Sequence, residues 1–134
     1  MRYRLLEHTA DIRIEAFGKD INEIFEISAY ALYDQITDIG IVRKRGTESI
    51  TLEAGSQDTL LVDYLSELIF LCSTMHFLFC DFSVRVNGLR LSSTVKGEKI
   101  DRRRHVLKDD VKAVTYHMLE LNIDKGYARF IIDV

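Results

Sequence analysis

The chain has 134 residues, of which 47% are hydrophobic, so it has the length of one domain and enough apolar surface to fold alone. Its formal net charge of −3 gives no overall attraction to phosphate backbones, so any contact with RNA is expected to be indirect or weak. Because no window reaches the roughly 18 consecutive apolar residues of a membrane span and the N-terminus lacks a secretory pattern, we expect a single cytoplasmic domain over residues 1–134 without membrane contact.

The first predicted elements are a strand and a helix. Residues 11–17 alternate between apolar and polar side chains, which is the period-2 pattern of a strand with one buried face. Asp20 and Glu23 have the spacing of a capping box, in which both side chains accept hydrogen bonds from backbone N–H groups at the start of a helix. The apolar positions that follow have helical spacing and end near Asp34 and Gln35, which predicts a helix over this stretch.

A second strand and a second helix come next. Residues 49–54 again alternate, and Gly55 ends this strand. Residues 59–75 carry apolar side chains at helical spacing, so we predict a long helix there, with Ser56 or Asp58 as its N-cap.

The second half of the chain consists of predicted strands. Residues 79–86 and 89–95 flank the dipeptide Asn87-Gly88, which adopts positive φ readily and therefore predicts a two-residue hairpin turn. Residues 111–119 and 127–134 are rich in β-branched and aromatic side chains, and polar turn residues join them, which predicts another antiparallel pair.

These elements together predict an α+β fold with two helices packed on mainly antiparallel β-sheet. Within the strand over 111–119, strict alternation would place Lys112, Val114 and Tyr116 on one face. Long Lys and Tyr side chains on a shared face suit contacts with a protein or a nucleotide, although the pattern alone favours an ordinary solvent-facing surface.

Two aspartates near opposite ends of the chain are candidate metal ligands. Asp11 begins the first strand and Asp133 lies in the last one, and both alternate away from the apolar positions. Val134 adds a terminal carboxylate beside Asp133. If the two strands are neighbours, three carboxylates converge, and such a cluster persists only with raised pKa values or with a bound hard cation such as Ca²⁺ or Mg²⁺. The pattern does not show that the strands meet, and lone aspartates near strand ends usually form turn or cap hydrogen bonds.

The motifs of common enzymes are absent from the sequence. There is no EF-hand loop, no zinc-protease helix, no nucleophile elbow and no phosphate-binding glycine loop. Cys72 and Cys80 lie in apolar sequence without the spacing of a zinc site or a disulfide framework. Two short basic runs, at 43–45 and 102–105, offer local contacts for RNA, but runs of this length are more often solvated loops.

Five short motifs, in order along the whole chain, resemble those of the archease family. They are His8-Thr9-Ala10-Asp11, Asp63-Tyr64-Leu65-Ser66-Glu67-Leu68, the run Gly97-Glu98 with Asp101 and Arg104-His105, Val111-Lys112-Ala113-Val114-Thr115-Tyr116-His117, and the final Asp133-Val134. Tyr64 and Ser66 stand where the family more often has Trp and Asn, and these are mild exchanges.

The resemblance implies an archease-like fold and a non-enzymatic partner of an RtcB-type RNA ligase in tRNA splicing and RNA repair. Archeases help this ligase to become guanylylated and to turn over repeatedly, and they widen its nucleotide use. By resemblance, a divalent cation would be held by Asp11, Asp133 and the terminal carboxylate of Val134. This cation is Ca²⁺ in the family, with Mg²⁺ or Mn²⁺ as alternatives.

By the same resemblance, we expect a surface for the ligase that is formed by Glu98, Arg104, His105, Lys112 and Tyr116. Two other functions stay open on the residues alone. One is an RNA-binding or chaperone-like adaptor that uses the basic runs at 43–45 and 102–104. The other is a metal-dependent hydrolase that uses His8 and Asp11.

Overall fold

The structure, a computed structural model, describes residues 2–6 and 11–134. Its elements in chain order are β1 (Tyr3–Leu6), β2 (Ile12–Phe17), α1 (Ile21–Ile36), a short 3₁₀ helix (Ile39–Ile41), β3 (Gly46–Glu53), α2 (Gln57–Met75), β4 (Phe77–Asn87), β5 (Arg90–Lys99), β6 (Ala113–Asn122) and β7 (Tyr127–Asp133). Within these ranges, neither helix is both long and apolar enough to cross a membrane.

The strands form two sheets in which every pairing is antiparallel. One sheet has the order β1-β2-β7-β6, and the other has the order β3-β5-β4. Helix α1 packs against β2 of the first sheet and β4 of the second, while α2 packs chiefly on β6. The prediction of an α+β fold with two helices on antiparallel sheet is therefore confirmed.

The core lies where α1 and α2 meet the two sheets. Its largest fully buried side chains include Tyr33 of α1 and Tyr64 of α2. The Tyr33 hydroxyl donates to the carbonyl of Leu68 at 2.5 Å, and the hydroxyls of Tyr64 and Ser93 are hydrogen-bonded at 2.8 Å. Both buried phenols therefore have the polar partner that burial requires.

Both predicted helix starts are confirmed, with one detail changed. The Asp20 side chain accepts a hydrogen bond from the Glu23 N–H at 2.9 Å, as a capping residue should. The Glu23 carboxylate, however, accepts from the N–H of Lys19, one residue before the cap. At α2 the cap is Ser56, whose hydroxyl accepts from the Thr59 N–H at 3.1 Å.

The predicted hairpin is confirmed, but its turn lies one residue further along the chain. Asn87 pairs with Arg90, so the two turn residues are Gly88 and Leu89. Gly88 has a φ of 63°, a value that favours glycine at the first turn position. The strand β1 was not predicted, because residues 3–6 do not alternate between apolar and polar side chains.

The regular alternation expected over residues 111–119 is wrong. Val111 and Val114 are both buried, whereas Lys112 and Tyr116 are exposed, so Val114 does not share their side of the strand. The register between β6 and β7 shifts between Thr115 and Glu120, as at a β-bulge. Such an irregularity re-aims the side chains, and the exposure of Tyr116 follows from it.

Candidate functional site

The two predicted carboxylate-bearing strands are neighbours. β2 pairs with β7 in a register that sets Ile12 opposite Ile132. Continuing this antiparallel register by one residue brings Asp11 next to Asp133, on the same face of the sheet. Val134 follows Asp133 and is exposed. His8, which belongs to the N-terminal motif, lies outside the described residues.

The chemistry of these groups fits a hard cation, because carboxylate oxygens are the ligands that Ca²⁺ and Mg²⁺ prefer. No group of three or more His, Cys, Asp or Glu side chains is placed to hold a metal within residues 2–6 and 11–134. The predicted set has only two such side chains, and the terminal carboxylate is its third member. Arg13 lies two residues from Asp11 on the same face, and its buried Nε has no hydrogen-bond partner in the described part of the chain. Its guanidinium is thus a rival source of positive charge, and the metal site stays a prediction.

A second cluster surrounds Glu98 near the end of β5. The carboxylate is only 6% exposed, and its Oε2 accepts a hydrogen bond from the backbone N–H of Arg43 at 2.7 Å. The same oxygen lies 2.9 Å from Nε2 of His105, and the Arg104 guanidinium pairs with Oε1. Arg45 Nε lies 3.9 Å from that oxygen. Glu98 therefore joins the segment before β3 to the loop after β5.

The hydrogen bonds of His105 fix its tautomer. The Asp101 N–H donates to Nδ1 at 2.8 Å, so Nδ1 acts as an acceptor. Nε2 then carries the proton, and this N–H donates a hydrogen bond to the Glu98 carboxylate. Because His105 is 4% exposed, a neutral imidazole that satisfies both partners suits its surroundings.

Glu98 stays ionised over the whole physiological pH range. Burial raises the pKa of this carboxyl, but the hydrogen bonds from Arg104, the Arg43 N–H and His105, together with the charge of Arg104, outweigh it and lower the pKa to about 2. The cluster is thus a permanent anion enclosed by donors.

The five residues expected to meet a partner separate into two kinds. Glu98 and His105 are buried, so they position their neighbours and offer little contact surface themselves. Arg104 has a side chain that is 27% exposed, and Lys112 and Tyr116 lie at the surface. Of the five residues, only Arg104, Lys112 and Tyr116 have side chains that can contact a partner directly.

The segment from Asp101 to Lys112 links the Glu98 cluster to the carboxylate pair. It begins beside His105, and the Lys108 N–H donates to the carbonyl of Ile36 at the end of α1. At its far end, the Lys112 N–H donates to the carbonyl of Asp133 at 2.7 Å. Family motifs that lie apart in the sequence are consequently joined by one hydrogen-bonded segment.

Sequence reasoning did not foresee that the two basic runs meet. Arg43 and Arg45 lie just before β3, and Arg104 lies in the loop after β5. All three arginines nevertheless contact Glu98, Arg43 through its backbone N–H. No local spacing carries this information, since it depends on the pairing of β3 with β5. A glutamate between two basic runs was the only signal in the sequence.

Comparison with known proteins agrees with these motifs. The sequence pattern of the family described as "Archease protein family (MTH1598/TM1083)" matches residues 3–134. A "Protein archease" of Methanothermobacter thermautotrophicus is 35% identical over 138 aligned positions, which cover 98% of this chain and 98% of that protein.

Solved structures show the same architecture. The solution structure of Methanobacterium thermoautotrophicum protein 1598 has a TM-score of 0.84 at 31% identity, covering 99% of each chain. The crystal structure of a Thermotoga maritima protein described as "an archease, possible chaperone" has a TM-score of 0.67 at 20% identity. It covers 96% of this chain and 94% of that one, and at this identity it supports the fold alone. The family match and the identity over nearly the whole length establish that this chain belongs to the archease family.

Proposed function

We propose that this protein is a non-enzymatic activator of an RtcB-type RNA ligase, acting in the cytoplasm in tRNA splicing and RNA repair. It promotes guanylylation of the ligase and repeated turnover, and it widens the range of nucleotides that the ligase uses. The observation that carries this proposal is the match to the archease family over residues 3–134.

The surface proposed to meet the ligase is formed by Arg104, Lys112 and Tyr116. Arg and Tyr are enriched among the residues that contribute most to protein interfaces. Arg104 is held in place, because it pairs with Glu98 and donates to the carbonyl of Ile41 at 2.9 Å. A side chain that is already ordered loses less conformational entropy on binding. The buried Glu98 and His105 thus act on this surface by fixing Arg104 and its loop.

The test is a ligation assay with RNA in large excess over an RtcB-type ligase, with and without this protein. We expect repeated turnover only when the protein is present, and the protein alone should neither ligate RNA nor hydrolyse phosphoesters. Tyr116→Ala should weaken the stimulation. Phe70→Ala is a matched control, because Phe70 lies on α2 and is as exposed as Tyr116, at 57%. An RNA ligase that turns over equally without the protein would contradict the proposal.

We further propose that Asp11, Asp133 and the terminal carboxylate of Val134 hold a divalent cation, with Ca²⁺ as the first candidate and Mg²⁺ or Mn²⁺ as alternatives. Such a cation would supply positive charge between carboxylates that otherwise repel each other. The pairing of β2 with β7 supports this proposal, because it makes the two aspartates neighbours.

Calorimetric titration of Ca²⁺, Mg²⁺ and Mn²⁺ tests the metal site without the ligase. We expect Asp11→Asn, and separately an extension of the chain past Val134, to weaken binding. Asp124→Asn is the control, since this exposed turn residue lies at the opposite end of β7. Unchanged affinity in both altered proteins would exclude the three-carboxylate site.

A further inference from the structure

An open basic pocket of about 570 Å³ lies between the start of β3 and the end of β5. Four cationic side chains line it, together with one aromatic ring. They are Arg43, Arg45, Lys99, Arg104 and Phe77. The pocket is thus a concentration of positive charge on a chain whose formal net charge is −3.

Glu98 brings these cations together from separate parts of the chain. Its carboxylate accepts from the backbone of Arg43 and pairs with the side chain of Arg104. The Arg45 N–H donates to the carbonyl of Gly97 at 2.9 Å, which fixes the second arginine of the run beside β5. One buried anion therefore organises the cations, but Glu98 and Asp101 are only two acidic side chains among four basic ones along the pocket.

Arg104 is prepared to bind an anion. Its NH1 donates to the carbonyl of Ile41, its NH2 pairs with Glu98, and the side chain remains 27% exposed. A guanidinium has five N–H donors in a planar fork, so donors remain for a further partner. Arg45 is more exposed, at 66% of its side chain, and supplies a second cation at the same opening.

Phe77 gives the pocket an apolar wall. Its ring lies against Gly46, where a Cβ atom would come within 3.0 Å of the ring, so glycine makes room for it. The ring also packs on Phe79, with the centroids 5.5 Å apart. An aromatic face beside cationic side chains is the arrangement that binds the base and the phosphate of single-stranded nucleic acids and nucleotides.

We propose that this pocket binds a phosphate group whose attached base stacks on Phe77. A free nucleoside triphosphate and a short single-stranded RNA share this chemistry, and the binding experiment separates them. Arg43 and Arg45 of the first basic run and Arg104 of the second then belong to one site. The proposal concerns the protein alone, so it stands or falls separately from the activation of a ligase.

Equilibrium binding at low salt tests the pocket, with inorganic pyrophosphate, a purine nucleoside triphosphate and a short single-stranded RNA as separate probes. We expect at least one base-bearing probe to bind, with an affinity that falls as salt increases. Arg45→Ala should lower this affinity about tenfold, as expected for the loss of one charge-assisted contact to phosphate. Competition between the triphosphate and the RNA shows which of them the pocket prefers.

Two further variants separate specific binding from general charge effects. Arg90→Ala removes the same charge from the opposite end of β5, where the side chain is 74% exposed, and it should leave the affinity unchanged. Phe77→Leu should weaken the base-bearing probe and spare pyrophosphate. Thermal unfolding of each variant verifies that the fold is retained. No binding of any probe, equal losses in Arg45→Ala and Arg90→Ala, or equal binding by Phe77→Leu would overturn the proposal.

Discussion

Two rows of side chains on one face of the four-stranded sheet differ in how their charges are arranged: one row pairs opposite charges, and the other places like charges side by side. In the first row, residues of alternating sign lie opposite each other across all four strands. This row is Arg4, Glu15, Arg129 and Glu120. The second row lies four residues before Glu15 in the chain. There, the β2–β7 register continued by one residue brings Asp11 next to Asp133, so like charges are neighbours. The same sheet thus encloses one carboxylate between two arginines and places two others side by side at the ends of its central strands.

The first row neutralises itself. Glu15 is 1% exposed, and its two oxygens pair with Arg4 and Arg129. Burial raises the pKa of Glu15, but the hydrogen bonds and charges of Arg129 and Arg4 outweigh it and lower the pKa below its ordinary value. The Glu98 cluster of the other sheet follows the same rule. The second row follows a different rule, because carboxylates placed together favour a cation from outside or from Arg13.

The largest expected effect is the loss of stability at low pH when Glu98 becomes protonated. The pKa of Glu98 is lowered from 4.5 to about 2, so its contribution to stability is fully present above pH 4.5 and is lost as the pH falls toward 2. This shift corresponds to about 3 kcal/mol of unfolding free energy. We expect denaturant unfolding of the wild type to converge with that of Glu98→Gln between about pH 5 and pH 2. A gap between the two proteins that stays constant over this range would contradict the assignment.

Removing the charge of Glu15 should cost about 2 kcal/mol at neutral pH, because one arginine loses a charge-assisted hydrogen bond at a buried position. The variant Glu15→Gln retains the size of the side chain, and urea unfolding measures the loss. Glu53→Gln is the control, since Glu53 lies 4.0 Å from Arg90 at an exposed site and should change stability by less than about 0.5 kcal/mol. Similar losses in both variants would mean that burial of the row contributes nothing.

The sequence was sufficient for the parts of the fold that local patterns encode. Alternation predicted β2, and the capping residues Asp20 and Ser56 predicted the start of each helix. Local patterns failed where a distant partner decides the outcome. Glu98 has the polar neighbours of a surface residue, yet it is buried because a backbone N–H that is 55 residues away binds it.

The candidate site shows the same division. Parity placed Asp11 and Asp133 on the polar face of their strands, but only the β2–β7 pairing makes them neighbours. Parity failed at Val114, which is buried although Lys112 and Tyr116 are exposed. The register of β6 with β7 shifts after Thr115, and this shift belongs to the pair of strands and not to the residues of β6 alone. A single strand carries its own periodicity, whereas register and convergence belong to pairs of strands.

The smallest predicted effect distinguishes a bound metal ion from the Arg13 guanidinium as the positive charge beside Asp11 and Asp133. If a metal ion supplies this charge, Ca²⁺ at ten times its dissociation constant should stabilise the wild type by about 1.4 kcal/mol, measured as a shift of the thermal unfolding midpoint. Asp11→Asn should lose this shift, because one carboxylate ligand is gone. Glu15→Gln should keep it, although the variant is less stable, since Glu15 belongs to the other row. If Arg13 balances the row instead, Ca²⁺ will shift none of the three proteins, and Arg13→Gln will then destabilise the wild type without any metal present.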